Sequence, residues 1–214
     1  ITDAVINNFL VSLEEIYLLG CANISTFNIQ HLISLKKIDC SGSKITDAAI
    51  NNFPVSLEEI YLHRCDNIST FNIKHLVNLK KIDCIDSKIH DDSINNFPVS
   101  LEEIKLEACR NLLYTFNIHH LVNMKKIDCS GSKITDAAIN NFPVSLENIR
   151  LSGCLISTFN INHLVNLKKI NCIDSTIHDD SINNFPVSLE EISLVLCKNI
   201  SAFNINHLVN LKKM

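Results

Sequence analysis

The chain has 214 residues, of which 46% are hydrophobic and 20% charged, and a formal charge of −4. That composition excludes a disordered polypeptide and supports a substantial core. The slightly acidic balance, with no dense basic patch, excludes nucleic acid and anionic membranes as expected partners, and no run approaches the roughly 20 apolar residues of a membrane span.

The opening residues, "ITDAVINNFLVSLEEIYLLGC", are copied along the whole chain. Units begin at Ile1, Ile45, Ile89, Ile134 and Ile177, separated by 44, 44, 45 and 43 residues. Periodicity is therefore the organising signal. Each unit opens like "ITDAAINNFP" (45–54), where Thr46 and Asp47 suit the first turn of a short helix and Pro54 follows its end. An alternating apolar–polar stretch follows, Leu57-x-x-Ile60-x-Leu62-x-x-Cys65, the pattern of a strand with one buried face. "NISTFNIKHLVN" (67–78) then returns the chain as a shorter, partly 3₁₀ segment, and a second strand pattern closes the unit: Leu79-x-x-Ile82-x-Cys84-x-x-Ser87-x-Ile89. Ten strand segments are predicted in all. A longer copy is also visible, because "SGSKITDAAINNFPVSLE" starts at Ser41 and again at Ser130.

These segments resemble the leucine-rich repeat, L-x-x-L-x-L-x-x-N/C-x-L, over the whole chain. The "ITD" segments are similar to the cysteine-containing subtype, but here they follow Ser43 and Ser132 rather than the cysteine, so the ubiquitin-ligase role of that subtype is not carried over. The resemblance implies an α/β fold: a right-handed solenoid with a parallel concave β-sheet and short helices or 3₁₀ turns on the convex side. Residues 1–214 form a single array. Ten strands stacked about 4.8 Å apart give a curved sheet about 48 Å long.

The ten phenylalanines fall into two columns, one through Phe9, Phe53, Phe97, Phe142 and Phe185, the other through Phe27, Phe71, Phe116, Phe159 and Phe203. Only stacking can bury them, since a single repeat has no inside. Nine cysteines occur, one in each of the first nine strand segments. Cys40, Cys84, Cys129 and Cys172 take an inward apolar place, while Cys21, Cys65, Cys109, Cys154 and Cys197 take the turn place, where a thiol can donate weakly to a backbone carbonyl. Matching cysteines lie about 9.6 Å apart, beyond the roughly 7 Å reach of a disulfide between Cα atoms. Reduced thiols and a reducing compartment are expected. Paired charges alternate in sign from one segment to the next (Glu58-Glu59, Lys80-Lys81, Glu102-Glu103), which favours one stacking register.

Candidate chemistry is sparse. His31, His75, His120, His163 and His207 recur a full unit apart, too distant to share a metal ion, and "IHDD" at His90 and His178 stands where "ITDA" stands elsewhere, as a helix start. "NIS" at Asn23, Asn67 and Asn199 reads as turn asparagine. No nucleophile elbow, P-loop, dinucleotide-binding glycine pattern or H-E-x-x-H occurs. No enzyme, metal or cofactor is expected.

What varies between units is the outward side of the odd strand segments. One column runs Tyr17, Tyr61, Lys105, Arg150, Ser193; the next runs Leu19, His63, Glu107, Ser152, Val195, beside Arg64 and Leu196. The even segments supply a steadier acidic line, Asp39, Asp83 and Asp128. "INNFP" meanwhile hardly changes. Variation confined to the concave side suits a surface that meets a protein or peptide ligand. The expectation is a non-catalytic protein–protein interaction module in the cytoplasm, with an inserted residue near Tyr114 as a second contact point. One alternative is the recognition part of a larger adaptor, ubiquitin ligase or bacterial effector acting in host cytoplasm. The other is a structural array stacking end to end: Ile1 begins inside a repeat and "LKKM" stops inside a strand, as in a fragment with uncapped ends.

Overall fold

The computed structural model describes residues 1–112 and 117–214; Tyr114 and Phe116, singled out above, lie outside the described residues. The chain winds as a solenoid whose nine strands form one parallel sheet in sequence order. They are β1 (Glu15–Tyr17), β2 (Lys37–Asp39), β3 (Glu59–Tyr61), β4 (Lys81–Asp83), β5 (Glu103–Lys105), β6 (Lys126–Asp128), β7 (Asn148–Arg150), β8 (Lys169–Asn171) and β9 (Glu191–Ser193). In each strand the middle isoleucine is buried and the flanking residues are turned toward the outward face, where Asp83 of β4 alone is also enclosed among the described strand residues. The expected tenth strand is reduced to a single bridge between Glu191 and Lys213.

Five one-turn helices open the units: α1 (Asp3–Ile6), α2 (Asp47–Ile50), α3 (Asp91–Ile94), α4 (Asp136–Ile139) and α5 (Asp179–Asn183). A helix of one turn is marginal by itself and depends on its packing. The N-cap residue is extended in each, threonine in α1, α2 and α4 and histidine in α3 and α5, and among the described residues only Thr135 accepts a bond from its own helix. The aspartate that follows acts across repeats. Asp47 accepts from the backbone amide (2.8 Å) and hydroxyl (2.9 Å) of Ser69 and from the amide of Thr70 (3.1 Å). Asp3 and Asp136 do the same for Ser25–Thr26 and Ser157–Thr158.

Both asparagines of "INNF" are likewise committed. Asn51 Oδ1 accepts from the Asn72 amide one half-unit on, and Asn52 Nδ2 donates to the Ala48 carbonyl. The other return segment forms consecutive single turns closed by the three-residue bonds of 3₁₀ geometry, with Leu76 N–H donating to Ile73 and Leu79 N–H to Leu76. His75 Nε2 donates to the Phe53 carbonyl at 3.0 Å, and His31, His163 and His207 repeat the bond. The recurring histidines therefore brace the backbone.

Isoleucines, leucines and phenylalanines fill the space between sheet and returns. The two phenylalanine columns interleave, so that Phe27 stacks on Phe53, Phe71 on Phe97 and Phe159 on Phe185 at 6.1–6.3 Å between centroids. Cys40, Cys84, Cys129 and Cys172 are fully buried, and the turn thiols Cys65, Cys109, Cys154 and Cys197 donate to their carbonyls at 2.9–3.2 Å. The cysteines thus form one continuous column of free thiols. Burial pushes Cys65, Cys109 and Cys154 up to about 11.

Candidate functional site: the outward face of the sheet

The register places the variable residues and the acidic line in a single column. Tyr17 pairs with Asp39, Asp39 with Tyr61, Tyr61 with Asp83 and Asp83 with Lys105. The column continues through Asp128 and Arg150 to Asn171 and Ser193. The alternation of odd and even segments thus interleaves basic and aromatic side chains with carboxylates along one line. Leu19, His63, Glu107, Ser152 and Val195 form a second column just past the strand ends, continued by backbone bonds such as Gly42 N–H to His63 and Gly131 N–H to Ser152.

Three regions follow one another along the face. At β1–β4 the Lys37 ammonium sits 5.6 Å from the Tyr17 ring and 5.2 Å from that of Tyr61, and Lys81 lies 5.5 Å from Tyr61. Tyr61 donates its hydroxyl to Glu59, and Tyr17 donates to Glu15. The Glu15 bond, aided by partial desolvation, raises the Tyr17 phenol above its ordinary value, and burial followed by the Glu59 bond does the same at Tyr61.

The middle region is ionic. Asp83, only 1% exposed, lies 2.6 Å from His63 Nε2 and 3.5 Å from Lys105 Nζ. The His63 contact is close but misaligned for a hydrogen bond. Arg150 Nη1 reaches Asp128 at 3.8 Å. Asp83 therefore offers almost no surface of its own and acts by holding His63 and Lys105. The acidic line also closes turns: Asp39 accepts from the Ser41 amide, Asp128 from that of Ser130, and Asn171 fills the same place for Ile173. This explains why that line is steady. Beyond β7, Ser152 donates to Asn171, and Val195 and Leu196 are exposed.

Backbone conformation at the strand ends was not anticipated from sequence. Arg64, Ala108 and Leu196 have φ of 50°, 57° and 63°, and the equivalent places elsewhere hold Gly20, Gly42, Asp86, Gly131, Gly153 and Asp174, also at positive φ. Glycine tolerates this region; a residue with a side chain is strained there by roughly 1–2 kcal/mol. The glycines and aspartates at that offset were the signal. Beside the strained turns lies a shallow hollow of about 520 Å³ walled by His63, Arg64, Asp86, Glu107 and Arg110.

Among the described residues, no group of three histidine, cysteine, aspartate or glutamate side chains is placed to hold a metal ion. Among the same residues, no helix is long and apolar enough to cross a membrane.

No family model matches the chain, and no curated protein matches it. Solved structures do. The functional domain of the internalin InlJ from Listeria monocytogenes, which includes a cysteine ladder, superposes with a TM-score of 0.65 at 16% identity, over 91% of this chain and 47% of that one. The chain thus spans about half the length of that structure. The internalin InlF from the same organism covers 99% of this chain and 76% of its own, with 14% identity and a TM-score of 0.49. The InlJ likeness shows the fold alone: a repeat solenoid with the arrangement of that domain.

Proposed function

We propose that the chain is a non-catalytic protein-interaction module of the leucine-rich-repeat type, taking a protein or peptide ligand on its sheet face, which we read as concave. The observation that carries this is the single column in which Tyr17, Tyr61, Lys105 and Arg150 alternate with Asp39, Asp83 and Asp128. A row of both signs flanked by aromatic rings discriminates between partners by charge pattern. Arg64 and Ala108 add weight, because strain retained beside a surface hollow suits a functional role. The module belongs to a longer array, a reading supported by its match to about half of the InlJ structure. Free buried thiols support a reducing, cytoplasmic setting.

The test is affinity capture with the double charge reversal Lys105→Glu/Arg150→Glu. Both side chains are partly exposed, but Lys105 faces the enclosed Asp83, so an unchanged circular dichroism spectrum is the required control that the variant is folded. Loss of at least tenfold in partner retention is expected, the scale of a buried charge contact. Unchanged capture of every partner would remove this face from consideration.

A further inference from the structure

One edge of the solenoid carries an exposed row that the sheet face does not include. Every half-unit contributes one aliphatic side chain, from Val11 and Ile33 through Val99 and Val122 to Val187 and Val209. Their exposure runs from 50% at Val55 to 80% at Val209. At about 4.8 Å per strand the row is about 43 Å long. The other nearly invariant positions of the return segments have structural partners, as Asp47, Asn51 and His75 show. The bonds made at these positions are backbone ones, through the carbonyl at Val55 and Val99 and the amide at Val77 and Val122, which any residue but proline would supply, and yet the side chain is kept as valine nine times and isoleucine once. Continuous exposed apolar rows of this kind mark contact sites.

Beside the row runs a groove of about 1200 Å³ along most of the array. Its polar groups are largely spent: Ser56, Ser100 and Ser188 donate to leucine carbonyls, and Asn78, Asn123 and Asn166 donate to valine carbonyls. Among the described residues, no aromatic ring lines it. What remains for a partner is methyl groups and a line of alternating charge, Glu14, Lys36, Glu58 and onward to Glu190 and Lys212. Neighbours in that line pair with each other, as Lys36 and Lys80 do with Glu58 at 3.0 and 2.8 Å. The line is therefore close to neutral overall, and a partner of one charge gains nothing along it.

We infer that this edge is the interface of a symmetric dimer, its occupant a second copy of the chain running antiparallel. A two-fold axis between any glutamate of the line and the next lysine reverses the order of the charges, and for the 214-residue chain the one between Glu102 and Lys125 gives the fullest overlap. Glu14 then faces Lys212, Glu58 faces Lys168, and Glu102 faces Lys125, so every position meets its opposite. A two-fold along the solenoid would instead set like against like. The two aliphatic rows share one spacing, so their side chains stay in step over the full length, with Val99 against Val122. Such an isologous contact is the commonest form of oligomer. It uses a different surface from the sheet face and stands or falls separately from the proposed function.

The test is sedimentation velocity of the 214-residue chain from about 1 to 200 µM, a range in which interfaces of ordinary size dissociate. A concentration-dependent dimer is expected. Val99→Asp/Val122→Asp/Val144→Asp should weaken it at least tenfold while circular dichroism is unchanged, and Lys105→Glu/Arg150→Glu should leave it intact. A photo-crosslinking residue at position 11 should join to the peptide around Val209, which is too distant within one copy. A monomer at every concentration, a dimer indifferent to the valine changes, or a crosslink from position 11 to position 11 overturns the inference.

Discussion

Asp83 shows how a single residue changes meaning once its surroundings are known. In sequence it is one of a line of outward aspartates; in the fold it is enclosed and pinned between His63 and Lys105. Leu196 changes in the opposite way, from a free surface residue to a strained turn at φ 63°. Leu196→Gly and Ala108→Gly should each raise stability by about 0.5–1 kcal/mol in urea unfolding, since relief of left-handed strain outweighs the greater freedom of glycine when unfolded. The thiols give a second check at this scale. Burial pushes Cys65, Cys109 and Cys154 up to about 11 from an ordinary 9.0, and burial likewise holds Cys40, Cys84, Cys129 and Cys172 well above that ordinary value. A thiol raised on folding contributes stability that is complete below its unfolded value and is lost as pH rises through its folded value. The melting temperature should therefore hold to about pH 9 and fall between about 9 and 11. In native protein a thiol reagent should reach Cys21 and Cys197, the two half-exposed cysteines, well before the other seven.

At the scale of elements, the one-turn helices matter for what they hold more than for their helicity. Their aspartates and asparagines tie each half-unit to the next, which gives "ITD" and "INNF" a mechanical reason to stay fixed. The near-constancy of that side is thus no measure of how freely solvated positions drift. The variability of the sheet face has to be judged on its own geometry. Asp47→Ala should cost about 2 kcal/mol, because it strips charge-assisted bonds from Ser69 and Thr70. Equilibrium unfolding would check this, and Asp47→Asn should recover only part of the loss. The strand charges act in the same direction with less energy each: Glu58 is held below its ordinary value by hydrogen bonds from Lys80 and Lys36. Its contribution is present above the unfolded pKa and is lost as pH falls through the lower, folded one.

For the whole molecule, the period and the interior columns were legible in the residues, whereas the expected tenth strand is only a single bridge. A pattern copied at fixed spacing has one way to bury its phenyl rings, by stacking each copy on the last, so composition and spacing determine the solenoid. The inward cysteines and the alternating glutamate and lysine pairs follow from the same periodicity. What only the tertiary structure decided is which residues share a line. Asp39 and Tyr61 are 22 positions apart, and only the parallel register makes them neighbours. The left-handed turns, the aspartate ties and the exposed valine edge were invisible for a related reason. Each depends on where a side chain points after the return segments have packed, and an alternating pattern states that a residue is outward without stating what lies beside it.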